Sequence, residues 1–191
     1  VICYTPHPIN YFLLEALTVS LPHLHPATVH FPIAFLIAAS VAALAYIHWR
    51  RLEALRTITW WGLVAGWLSL IAAILTGLIA QGNLPPDAPY RAVLNWHTTT
   101  GLLLGVIYGD VLYRGWLYNT GKGRRNRSRP LSTQQQKVTE APPSGPREFL
   151  AEPRQKWLLT VEFILGIATV FISGWLGGQL VYTWGVNVKI P

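Results

Sequence analysis

Methionine is absent from the 191 residues, cysteine occurs once, and charged side chains make up only 12% of the chain. Each scarcity excludes something. Without methionine, a six-coordinate haem held by this chain cannot use Met/His ligation, which leaves two histidines. The single Cys3 closes no internal disulfide. With no CxxC or CxxCH motif there is no thioether-bound c-type haem, iron–sulfur cluster or zinc ribbon. An ordinary soluble domain carries about a quarter charged residues. Here Lys, Arg, Asp and Glu are missing altogether from residues 26–49, 57–80, 92–109 and 163–188.

Those charge-free runs are long enough to cross a bilayer, which takes roughly 20 apolar residues at 1.5 Å each. In lipid the backbone must satisfy its own polar groups, so each run reads as a helix. The expectation is an all-α, integral membrane four-helix bundle, with spans near 27–49, 57–80, 90–117 and 156–182. In domain terms, residues 25–117 hold the first three helices, and 156–191 hold the fourth and a tail. The stretch INYFLLEALTVSL within residues 1–24 mixes apolar and polar positions and is too short to span. It reads as a short N-terminal interfacial helix.

The net charge is +7, but its distribution is not that of a nucleic-acid binder. Of the 15 Lys and Arg, all but Arg91 and Lys189 fall after helix 1 or from Arg114 to Lys156. This asymmetry is the positive-inside signal. It predicts an inner-membrane, multi-pass protein with both termini outside and the 118–155 loop in the cytoplasm. That loop is basic, then Ser/Gln/Pro-rich, lacks an apolar period and is expected to be mobile. Its 122–129 stretch is suited to anionic lipid.

Connectivity gathers the histidines. Helix 1 begins at the outer face with HPATVHFPIAF, and Pro26 suits a first helical position. Pro32 removes one backbone bond and bends the helix near His30. Helix 3 also starts outside, where NWHTTTG places His97 about two turns in. Helix 4 ends on that side in GWLGGQLVY. His30 heads an i+4 series through Ala34, Ala38 and Ala42, and His97 heads Gly101, Gly105 and Gly109. Small residues every fourth position let membrane helices approach closely, so both rings are expected to face inward. Ionisable side chains buried in a membrane default to function.

Two inward imidazoles flanked by Gly101, Gly174 and Gly178 suit a flat metal tetrapyrrole. The leading expectation is a b-type haem with His30 and His97 as axial ligands, serving an electron carrier or redox accessory subunit rather than an enzyme. A chlorophyll-type pigment is one alternative, and a copper or zinc site with His25 as third ligand is another. A further alternative has no cofactor: the histidines bond neighbouring helices in a structural subunit of a larger membrane complex. A metal-binding or transport protein is the third class, although no internal repeat supports transport. His48 stands alone at the inner face, so a redox role is confined to the outer side. Asp110 and Arg114, four apart, together with Glu162 predict a buried ion-pair cluster, with proton handling as the alternative.

The motifs HPATVHFPIAF at 25–35, LTGL at 75–78 and GWLGGQLVYTWGV at 174–186 resemble a bacterial family of predicted four-helix membrane proteins of unknown function. The resemblance spans about residues 25–187 and implies the same topology. It also implies a redox setting, since some relatives accompany Rieske-type iron–sulfur domains. It supplies no catalytic residues. The front segment and the long basic loop exceed the family pattern and imply docking with other membrane subunits. A quinol or a soluble electron carrier is the expected redox partner at the outer face.

Overall fold

The computed structural model describes residues 25–82, 84–127 and 149–186, and of residues 119 and 121–127 the backbone only. The interfacial helix expected within 1–24 lies outside the described residues. Four long helices follow one another: α1 (His30–His48), α2 (Glu53–Gln81), α3 (Arg91–Arg127) and α4 (Lys156–Tyr182). A 3₁₀ turn, Phe149–Ala151, precedes α4. The chain is an all-α membrane bundle, and among the described residues there is no strand.

Local chemistry sets the helix ends. A helical turn at 25–28 leads into α1, and the ladder is interrupted at Val29. Pro32 has no N–H to offer the Thr28 carbonyl four residues back, which accounts for the break. The turn between α1 and α2 is shorter than the sequence suggests, because α2 already starts at Glu53. Leu52 is extended (φ −82°, ψ 136°), and Arg56 pairs with Glu53 within the first turn. At the far end of α2, the proline-rich connector is pinned by Arg91. Its guanidinium donates to the carbonyls of Leu84 (2.9 Å) and Pro85 (2.6 Å). Gly185, at φ +61°, closes α4, a conformation that costs glycine little.

The segment His25–His48, α2 and α4 are each long and apolar enough to cross a membrane. Four such spans were expected. The difference is α3, whose first turns carry Asn95, His97 and three threonines. Each threonine hydroxyl returns to a carbonyl of the preceding turn, so the run is polar in composition yet internally bonded. α3 also continues beyond residue 117, where the loop was expected, to Arg127.

Packing organises the helices as two hairpins, α1 on α2 and α3 on α4, which meet along α1–α4 and α2–α3. The backbones of the diagonal pairs stay apart, and side chains fill the space between them. Midway along, Tyr108 is fully buried, and it shares a hydrogen bond with Ser40 across the α1–α3 diagonal (2.9 Å). Gly166 makes room for this ring, since a Cβ there would stand 2.5 Å from the phenol oxygen. Leu63, Phe163 and Leu159, all fully buried, extend the core toward the basic end of the bundle. There Phe149 and Leu150 insert between the helices, with the Phe149 ring 6.0 Å from Trp60 and 5.7 Å from Tyr118. Trp60 is therefore packed inside, whereas Trp61 is exposed. Lipid gives helices little hydrophobic reason to associate, so such close steric fits and interhelical hydrogen bonds hold the bundle.

Candidate functional site

Opposite the basic end, above Tyr108, the two hairpins leave a cavity of about 390 Å³. Its floor is Leu36, Leu70, Leu104 and Val170, one residue from each helix. Its lining contains no Lys, Arg, Asp or Glu. The polar side chains in its lining are few: three histidines, Gln81, Thr98, Ser173 and Tyr182.

His25 and His97 meet across the α1–α3 diagonal. Their ring centres are 6.2 Å apart and their planes lie at 78°. Each ring is held by a neighbouring helix. His25 Nδ1 is 3.0 Å from the Ala73 carbonyl oxygen on α2, and His97 Nδ1 is 3.0 Å from that of Ser173 on α4. A carbonyl only accepts, so both rings carry their proton on Nδ1 and present Nε2 with its lone pair. Among the described residues neither Nε2 has a hydrogen-bond partner. Thr76 and Thr28 complete the surroundings of His25, with Thr76 Oγ1 at 3.3 Å from its Nδ1 and 3.2 Å from Thr28 Oγ1.

Two glycines admit the rings. A Cβ on Gly77 would stand 2.9 Å from His25 Cε1, and one on Gly177 would stand 3.1 Å from His97 Cε1. Gly101 and Gly174, by contrast, line the cavity with open space where a side chain would project, and Gly178 is nearly as free. Gly105 and Gly109, further along the α3 series, pack against α2 instead. Trp67 donates its indole N–H to the Gly105 carbonyl (3.0 Å) and lies over Gly109.

The sequence-derived residues thus fall into three groups. His97, Gly101, Gly174 and Gly178 line one cavity. His25, expected as a third ligand, is the ring that meets His97. His30, expected in that place, lines the cavity but is exposed, as are Ala34 and Ala38 of its series. Among the described residues no three His, Cys, Asp or Glu side chains converge as ligands for one ion. The residues missed from sequence are Ala73 and Ser173, whose carbonyls hold the two rings, the Ser173 hydroxyl lying a further 3.5 Å from His97 Nδ1, and the cradle glycines Gly77 and Gly177.

At the other end, Arg114 bridges two carboxylates. Its Nε lies 2.6 Å from Asp110 Oδ2, and its Nη2 pairs with Glu162 across α3 and α4. Its guanidinium carbon is 6.0 Å from the Phe149 ring centre, and its buried Nη1 has no hydrogen-bond partner among the described residues. His48, also at this end, bonds Thr160 Oγ1 from Nε2 (2.9 Å). This end is a lock between helices, and it is separated from the cavity by the Tyr108 layer.

Fold and site together define a helical membrane protein with a paired-imidazole cavity in one half of its bundle. Residues 22–190 match the model of the family described as predicted membrane protein (DUF2231). The chain belongs to that family. No curated protein and no solved structure matches it.

Proposed function

We propose that the protein is a membrane-embedded redox subunit that holds a b-type haem or closely related tetrapyrrole between His25 and His97. The observation that carries this reading is the paired imidazoles, each tied through Nδ1 to a backbone carbonyl. Metal-bound histidines are typically oriented by just such a bond on the other ring nitrogen. His25 and His97, their ring centres 6.2 Å apart, are the two side chains that would hold the group. A tetrahedral zinc or copper site needs more protein ligands than two. A tetrapyrrole supplies four nitrogens of its own and leaves two positions for histidine. The open space before Gly101, beside His97 on α3, gives room for such a ring. Bound there, the group would supply reversible one-electron chemistry, while the chain's own part is to fix the imidazoles and exclude water.

In this reading the histidine end faces outward across an inner membrane. The excess of basic residues is the cytoplasmic signal in this reading, and the charge of the 122–129 stretch suits anionic lipid there. The chain acts as an electron carrier or accessory subunit beside other membrane subunits. A second reading, a non-catalytic subunit whose histidines only join helices, draws on the same two Nδ1 bonds. A reduced-minus-oxidised spectrum of the purified protein separates them. Haem bands are expected in the wild type, absent in His25→Ala and His97→Ala, and retained in His30→Ala. A colourless wild type that takes up no added haemin overturns the redox reading.

A further inference from the structure

His30 is the one cavity histidine without a partner. It lies five residues into the span that starts at His25, about 7 Å along the helix axis. It is exposed, and among the described residues it makes no hydrogen bond. An imidazole presented to lipid with both nitrogens unsatisfied is costly, so its position calls for a polar group arriving from the bilayer.

The cavity is built to let one in. On the α2–α3 side it is closed by Gln81, whose amide donates to Thr98 Oγ1 (2.7 Å). On the α1–α4 side the lining residues His30 and Gly174 are themselves exposed. Gly174 lies eight residues before the end of α4, about 12 Å along it. Tyr182 at the end of α4 and Leu78 on α2 are exposed lining residues too, so the mouth runs from the helix ends down to the level of Gly174, where it meets acyl chains between α1 and α4. Gly174 and Gly178 leave its α4 wall without side chains, which shapes a slot for something flat.

We propose that this portal takes the head group of a lipid-soluble quinone or quinol, with His30 hydrogen-bonded to a ring oxygen. The head group is neutral, because no charged side chain lines the cavity and a phosphate would find no cation there. It is planar, to enter beside Gly174 and Gly178. It carries oxygens at its rim, which imidazole can meet as donor to a carbonyl or acceptor from a hydroxyl. Its prenyl tail stays in the leaflet. The proposal deepens the redox reading by naming the partner of that site. Binding itself needs only the portal and His30.

The test is photolabelling in nanodiscs with an azido-benzoquinone, with and without an excess of decyl-benzoquinone. Labelling is expected on peptides covering 25–36 and 170–182 and is lost on competition, whereas added phosphatidylglycerol does not compete. His30→Leu should weaken the competing quinone roughly tenfold, the worth of one hydrogen bond in an apolar site. His30→Gln should recover part of that loss. Gly174→Leu should abolish labelling while leaving the helix content unchanged. Labelling spread over the lipid-facing surface, or unaltered by both His30→Leu and Gly174→Leu, overturns the proposal. The two readings fail separately. Specific labelling of a colourless protein keeps the portal and removes the haem, whereas haem bands without specific labelling do the reverse.

Discussion

At the scale of single residues, an imidazole's reach depends on what its neighbours lack. His25 and His97 occupy their places because positions 77 and 177 have no side chain. Gly177→Val is therefore expected to behave like loss of His97, with haem affinity lowered roughly tenfold or more, while Gly174→Ala, whose Cβ meets nothing within 4 Å, is neutral. Absorbance titration with haemin measures both. The inward position of His97 was legible from sequence, because it sits in an unbroken helix and heads a series whose Gly105 and Gly109 pack against α2. The choice between His25 and His30 was not. The break at Val29 spoils the count of residues per turn across 25–33. Of the series that seemed to mark the buried face, Ala34 and Ala38 are exposed and only Ala42 is buried, and the packed face starts instead at Leu36, Ala39, Ser40 and Ala43. No periodicity announces a partner that acts through its backbone carbonyl, as Ala73 and Ser173 do.

At the scale of elements, the basic end shows how two helices are fixed in register. Arg114 and Glu162 are mostly buried, with 20% and 17% of their side chains exposed, whereas Asp110 is about half exposed at 47%. Removing Glu162 leaves the buried Arg114 held only by the half-exposed Asp110, so Glu162→Leu should cost up to about 3 kcal/mol. Asp110→Asn should cost under about 1 kcal/mol. The double change Arg114→Leu with Glu162→Leu should restore most of the loss, because the one charge then left without its partner, Asp110, is half exposed to begin with. Unfolding in mixed micelles, followed by circular dichroism, measures all three. This cluster was readable from spacing: four residues apart on α3, and matched in depth by the opposite direction of α4. The Phe149–Leu150 insertion was not, since a two-residue apolar island in a polar loop gives no period to count.

At the scale of the whole molecule, the membrane character and the number of helices came through because long charge-free runs leave few physical alternatives. The extent of α3 did not: its polar first turns and basic last turns dilute an apolar middle, although its backbone remains helical throughout. Orientation rests on charge asymmetry, and two exposed residues at opposite ends report it. In a Cys3→Ser background, Asp87→Cys should react with a membrane-impermeant maleimide in intact cells. Arg51→Cys should react only after permeabilisation. The reverse pattern would turn the bundle over and put the histidine end in the cytoplasm.

The Tyr108–Ser40 layer has an electrical meaning. Because the bundle is hollow in one half and solid in the other, charge delivered to the imidazole pair in the proposed redox role would be insulated from the far side and would have to depart by the door it came in. In that role the protein would be half of a circuit, handing electrons sideways to a neighbour without short-circuiting the voltage across the membrane it sits in.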